Sequence, residues 1–466
     1  MSPRNIVIFS DGTGARGGVF VDENRSNVYK LYRATRCGPD TLIDAREQLA
    51  FYDPGIGTLA PGSGFLGSIA RSVYNLVSQA LGLGLTRNII DCYAAIIQLW
   101  RPGDRIFLFG FSRGAYTIRC LAATICKCGV PTTMKDGSRL KYDPATARKI
   151  ATEAVKRVYQ HTSSWERERA TPHQLELLDQ REALAARFRL RHKSGNDAEP
   201  VVYPHFVGVF DTVASLSNPV ALVGFVAATP ILTAMVSWIA WLALGAFGFH
   251  LVWWHLFVGL TLAFAIVGGV IHSLLRIRVA FGLKGHPWYK TLHMTEGRMN
   301  FYDRTLNPNV AFARHAISID EARESFQRVP WGQPGVWKPS DPEWFQQVWF
   351  AGNHSDIGGS YPENFARLSD ISLKWMMDAA ISVGLKVDRD FLQLNPDPTG
   401  PQHDETKSSV FKYAGKLTRK ADPQCPLHES VIERFQALSV LHYDEMRPYR
   451  PENLRNHEKV KHLYGS

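Results

Sequence analysis

The 466-residue chain is 45% hydrophobic and 21% charged, which excludes a disordered segment. Its net charge of +10 suits an anionic partner, either nucleic acid or a membrane surface. The basic stretches lack the aromatic interleaving of a nucleic-acid module, so no nucleic-acid partner is expected. Its six cysteines include no CxxC pair. They read as reduced, buried thiols, and neither a metal nor a cofactor is expected.

The first apolar run, Ile6 to Phe9, is far too short for a secretory signal and reads as a buried strand. It ends in the glycine turn Ser10-Asp11-Gly12-Thr13-Gly14. A helix is expected over 24–36, then a second strand ending near Asp53, a glycine-rich loop at 61–68, and helices over 70–83 and 86–101. A turn at Pro102-Gly103-Asp104 leads into the apolar strand Arg105 to Phe109. A helix follows Ser112. Residues 143–193 mix Ala, Leu, Glu and Arg and predict solvated helices. Val201 to Val209 is another strand, ending at Asp211-Thr212. The alternation predicts an α/β fold, a mostly parallel sheet flanked by helices.

From Thr212 through Leu275 there is no Asp, Glu, Lys or Arg. Pro219–Leu244 and Phe249–Leu275 are each long enough to cross a bilayer, since about 20 residues suffice. Trp238, Trp241, Trp253 and Trp254 lie near the turn between them, and tryptophan favours the membrane interface. The segment therefore predicts an inserted apolar helical hairpin in contact with a lipid bilayer. A hairpin buried in a soluble core and a shallow re-entrant insertion are the competing readings. Arg276, Arg278 and Lys284 follow, which favours a cytoplasmic catalytic domain at a bacterial inner membrane. The fold then resumes with a strand at Gln347–Phe350 and a helix over 368–384. The organisation expected is a hydrolase domain in two parts, 1–215 and 279–390, split by the hairpin at 216–278 and followed by a surface lobe, 391–466.

The chemistry centres on Gly110-Phe111-Ser112-Arg113-Gly114. Gly-x-Ser-x-Gly between a buried strand and a helix is the arrangement of a nucleophile elbow, with Ser112 projecting from the turn and small residues leaving it room. A serine hydroxyl needs a base, and the base needs an orienting acid. In this fold class the chain order is Ser, acid, His. Asp211, after a strand, and His354, in Asn353-His354-Ser355-Asp356, meet that order. Asp356 is a rival acid or a brace of the loop. His315 and His205 are weaker candidates for the base. The oxyanion donors expected are the N–H of Arg113 and an N–H of Gly12 or Thr13, with Asp11 supporting that turn. An aspartyl-phosphatase reading of Asp11-Gly12-Thr13 fails, because Phe9 stands where the nucleophilic Asp would be.

Several further segments accompany these: Ser26-Asn27-Val28, Tyr52-Asp53-Pro54-Gly55-Ile56-Gly57-Thr58, Gly208-Val209-Phe210-Asp211-Thr212, His315 to Glu321 with Arg323, and Trp349 to Gly359. Together they resemble the α/β-hydrolase family of the first group of type VI secretion lipase effectors, over about residues 5–385 apart from the hairpin. The resemblance implies a phospholipase with a Ser-Asp-His triad, at Ser112, Asp211 and His354 here. It implies a membrane phospholipid substrate and, for a secreted toxin, an immunity-protein partner. The hairpin departs from the family pattern and allows a resident membrane enzyme as well, and it can pair with a second copy as a homo-oligomer. Three functions follow: a membrane-associated phospholipase, a general carboxylesterase or thioesterase anchored to the membrane, and a non-catalytic membrane interaction protein with a degenerate hydrolase fold.

Overall fold

A run of β-branched and aromatic residues without a break forms the first strand, β1 (Asn5–Ser10), and every one of its residues is buried. The computed structural model describes residues 3–12, 24–55, 83–213, 219–246, 252–295, 305–332, 344–407 and 415–464. Thr13 and the glycine-rich loop lie outside them, as does nearly all of the helix expected over 70–83. Ser26 caps α1 (Asn27–Thr35), accepting from the Tyr29 N–H. There follow β2 (Gln48–Asp53), α2 (Leu83–Leu99), β3 (Arg105–Phe111) and α3 (Arg113–Cys128), which begins directly after Ser112.

Next come α4 (Pro144–Thr152), continued by a π-helical turn, and α5 (Pro172–His192). These helices are less solvated than their charge suggests. α5 buries Leu177, Leu184 and Phe188, and with them the charged side chains of Arg181 and Arg189. β4 is shorter than expected, Phe206–Phe210. The hairpin forms as α6 (Pro219–Ala246) and α7 (Trp253–Arg276). β5 (Ile277–Arg278), α8 (Trp288–Thr291) and β6 (His293–Met294) follow. β7 (Phe312–Ser318) is a strand not expected from the sequence. β8 (Phe345–Phe350), α9 (His354–Gly358), α10 (Arg367–Ser382), α11 (Glu429–Gln436), β9 (Val440–His442) and β10 (Glu445–Arg447) complete the order.

Six strands form one parallel sheet in the order β2-β1-β3-β4-β7-β8. Alternation along each strand feeds two cores. Ile6, Ile8, Ile106 and Leu108 join residues of α2 and α3 on one face. Val7, Phe9, Phe107 and Phe109 join those of α1 and α10 on the other. The strand ends align, with Ser10 opposite Gly110, Phe111 opposite Phe210, and Phe210 opposite Ala316. Residues just beyond them gather at the carboxyl edge, where open α/β sheets hold their ligands.

The hairpin helices meet through a hydrogen bond between the Thr233 and Thr261 hydroxyls, 3.1 Å, and through Trp238 set edge-on to Trp253, 5.7 Å between ring centres. Ile231, Ile239, Ile266 and Val267 are exposed, and no residue of the 18-residue apolar stretch Trp253–Val270 is buried. The hairpin is therefore not an internal element of a soluble core. The segment after 415 is more than a surface lobe. Val431, Phe435 and Leu454 pack on Ile317, Ile319 and Trp349 at the ends of β7 and β8.

Candidate active site

The site starts from two backbone turns that few residues tolerate. Ser112 has φ 58° and ψ −121° between β3 and α3, and Asp211 has φ 35° at the end of β4. Non-glycine residues at positive φ are held there by their surroundings at a cost of about 1–3 kcal/mol each. At Ser112 the surroundings are glycines. A Cβ on Gly114 would strike the Ser10 carbonyl, and one on Gly110 would sit 2.7 Å from the Ala115 Cα. The Ser112 N–H donates to the Phe210 carbonyl, 3.1 Å, which draws the elbow to the residue preceding Asp211.

Asp211 and His354 meet. His354 Nδ1 lies 2.5 Å from Asp211 Oδ2, and both side chains are buried. The imidazole is clasped between Phe111, stacked at 4.6 Å, and Phe326, edge-on at 5.0 Å. The His354 N–H donates to Glu321 Oε2, 3.2 Å. Its other ring nitrogen, Nε2, is buried and has no hydrogen-bond partner among the described residues. Burial pulls the imidazole below its ordinary range, against the raising effect of Asp211. The ring is thus neutral near pH 7, with its tautomer set by the carboxylate and one nitrogen available to a substrate or hydroxyl.

Burial works to raise the Asp211 carboxyl, but Arg419 and His354 hold it far below the usual carboxylate range. Arg419 grips it in a fork, 2.5 Å to Oδ1 and 2.9 Å to Oδ2. The Ser318 N–H adds a third donor to Oδ1, 3.0 Å. This is the arrangement an orienting acid needs, a carboxylate kept ionised without solvent.

A family model described as the type VI secretion Tle1-like phospholipase effector catalytic domain matches residues 4–240 and 279–379. The chain belongs to the Tle1-like effector family. The match omits 241–278, the end of α6 and all of α7, and stops before Arg419. An uncharacterized protein of Saccharomyces cerevisiae is 30% identical over 220 residues, which are 46% of this chain and 27% of that protein. The chain thus spans about a quarter of that curated relative. Two solved structures are similar over 84% of this chain, each at a TM-score of 0.35. One is an uncharacterized protein from Pseudomonas aeruginosa, at 17% identity and 48% of its chain. The other is the Tle1 effector bound to the VgrG spike of the type VI secretion system, at 14% and 76%.

Within this Tle1-like domain the remaining expected residues fall as follows. Asp356 braces its loop, since it accepts the Asn353 N–H at 3.0 Å, the His403 N–H at 3.1 Å and His403 Nδ1 at 2.7 Å. His315 is fully buried against Gln347, 3.2 Å, and burial pushes it down to about 3. His205 bonds the Val383 carbonyl, 3.1 Å, away from the carboxyl edge of the sheet.

Arg113 stands at the first position of α3, where a backbone N–H has no partner within the helix. Gly12 lies against Ser112, its built Cβ 3.3 Å from the Ser112 Cβ, but its N–H donates to Asp11 Oδ1 at 2.7 Å. Asp11 is buried and also accepts from Tyr52, 2.7 Å, and from the Ser26 hydroxyl, with burial raising it to about 6. Asp11 therefore fixes the turn beside the serine, and the Gly12 N–H is engaged. Thr13 lies outside the described residues. Among the described residues no group of His, Cys, Asp and Glu side chains could hold a metal ion.

The sequence reading missed Arg419, Glu321 and Phe326. Glu321 is buried and gripped by Arg323 at 2.8 and 2.7 Å, and the Arg323 guanidinium lies 3.6 Å over the Phe326 ring that flanks His354. Glu321-x-Arg323 was visible as a motif without a role. Arg419 carried no local signal.

Proposed function

We propose that this chain is a membrane-associated serine hydrolase that cleaves lipid esters as a phospholipase, through Ser112, His354 and Asp211. The reading is carried by one observation: a buried His354 with Nδ1 bound to the Asp211 carboxylate and an unpartnered Nε2, its ring stacked on Phe111, the residue before Ser112. His354 Nε2 takes the Ser112 proton as Oγ attacks the ester carbonyl. The oxyanion develops at the N-terminus of α3, where the Arg113 N–H and the helix dipole favour negative charge. The alcohol leaves with the proton from His354. A water deprotonated by the same nitrogen then releases the fatty acid from the acyl-enzyme. Effector-family membership supports export from the producing cell and neutralisation by an immunity protein. The exposed apolar hairpin, beginning eight residues after Asp211, supports a bilayer as the place of action.

The test is hydrolysis of phospholipid vesicles by wild type and Ser112→Ala. Loss of a triad nucleophile should slow the reaction at least about a thousand-fold. Equal rates would sink the assignment, and a folded protein whose Ser112 never reacts with a fluorophosphonate would favour a non-catalytic role.

A further inference from the structure

The residues after the hairpin build a small, closed frame. β5 pairs antiparallel with β6, Ile277 opposite Met294 and Arg278 opposite His293, and a bridge between Leu283 and His286 tightens the turn between them. Thr291 at its centre is fully buried, accepting from the Ala280 N–H and donating to carbonyls of Ala280 and Trp288. The frame is tied to the catalytic domain through its backbone. Arg187 donates to the Phe281 and Gly282 carbonyls at 2.7 and 3.2 Å, and Gln180 to that of Lys290 at 3.2 Å. Both belong to α5, which packs on α3, the helix that Ser112 opens.

A frame held this firmly could have turned its large side chains inward. Phe281, Trp288, Tyr289, Leu292 and Met294 instead remain 52–65% exposed. Phe281 and Trp288 stack on one another, 6.2 Å between centres. The charges carried by the segment itself have one sign. No Asp or Glu occurs from Thr212 through Thr295, whereas Arg276, Arg278, Lys284 and Lys290 do. Protein–protein interfaces are enriched in aromatics but depleted in lysine. Exposed aromatics in a segment whose own charges are all cationic, continuous with a bilayer-length apolar hairpin, match the headgroup layer of an anionic membrane.

We infer that residues 277–294 form an interfacial collar that seats the catalytic domain on anionic lipid headgroups where the hairpin meets the bilayer. The inference rests on the lipid-hydrolase reading and adds a division of labour. The hairpin retains the protein, and the collar, fixed to α5, sets the pose of the domain above the substrate.

The experiment uses the full chain and two double variants at exposed positions, Lys284→Gln with Lys290→Gln, and Trp288→Ser with Tyr289→Ser. Cosedimentation and initial hydrolysis rates are measured on vesicles of phosphatidylcholine alone and of phosphatidylcholine mixed with phosphatidylglycerol. Turnover of a short soluble ester is the control. The lysine variant should bind anionic vesicles about fivefold more weakly per lysine, the factor that corresponds to about 1 kcal/mol. That difference should vanish on neutral vesicles and in high salt. The aromatic variant should lose binding and rate on both vesicle types. Soluble-ester turnover should stay at the wild-type level in both. If wild type cleaves vesicles and both variants match it in binding and rate, the collar is refuted and the lipid-hydrolase reading stands. If wild type cleaves the soluble ester but no vesicle lipid, that reading fails, and unchanged cosedimentation of the variants would still overturn the collar by itself. A change in oligomeric state with unaltered vesicle binding would assign the surface to a second copy and overturn the proposal.

Discussion

Arg419 provides the sharpest test of how the site is held. In Arg419→Met the buried Asp211 loses both bonds of the guanidinium fork and keeps the Ser318 N–H and His354. Two further bonds, from Arg419 to the Ser318 and Phe326 carbonyls at 3.2 and 2.8 Å, go with it. Removing one partner of a buried ion pair costs about 3–5 kcal/mol, because the remaining charge stays out of water. For a chain of 466 residues the unfolding entropy allows only about 1 °C per kcal/mol, so the melting temperature should fall by roughly 3–5 °C. The catalytic effect has a separate signature. With Arg419 present, the carboxylate's charge is shared between a guanidinium and an imidazole. Without it, that charge acts on His354 alone, which then keeps its proton to higher pH. The base must be neutral to act, so the acidic limb of kcat/KM on a soluble ester should move to higher pH. The plateau should drop by about tenfold to a hundredfold as Asp211 and the ring lose their fixed alignment. Arg419→Lys keeps the charge without the fork and should restore the limb more than the stability. If the Met variant melts earlier while its limb coincides with that of wild type, Arg419 is a structural staple and the electrostatic argument is wrong.

Gly114→Ala should destroy activity as thoroughly as Ser112→Ala and also destabilise the fold, because its methyl meets the backbone of Ser10 rather than a movable side chain; the far-UV melt and ester turnover together check this. Asp53, buried beside the Ser10 hydroxyl at 2.9 Å, is pushed up to about 7, chiefly by burial. Its folded-state value lies above the unfolded one, so its contribution is complete below about pH 4 and is lost as pH rises towards about 7, at about 1.4 kcal/mol per pH unit. Asp53→Asn should flatten that slope in a denaturant-midpoint series from pH 4 to 7, and an unchanged slope would place the ionisation elsewhere.

What the residues disclosed in advance depended on how local each signal was. The strained turn at Ser112 was legible because it compresses its requirements into five residues. The pairing of Asp211 with His354 was legible because each ends a recognisable strand or opens a loop in the expected order. β7 was not legible. Phe312-Ala-Arg-His-Ala-Ile-Ser carries Arg314 and His315 in its middle, both buried, where a central parallel strand is expected to be continuously apolar. Arg419 was hidden for a different reason. It reaches Asp211 across 208 residues from a stretch rich in Lys and Arg, and nothing nearby distinguishes it from a solvated side chain. Gly12 was recognised as part of a turn, but the direction of its N–H depends on the Asp11 rotamer, which Tyr52 and Ser26 set.

The strand order of the sheet also sets a sequence of events during synthesis. β4 ends at Phe210, and its neighbour β7 begins at Phe312, with the whole hairpin between them. Pairings over such separations form late, since a long loop must close before the contact rewards it. A growing chain carries Ser112 early, acquires His354 only after the hairpin has emerged, and receives Arg419 later still. The proposed site is thus complete only after the apolar hairpin has emerged.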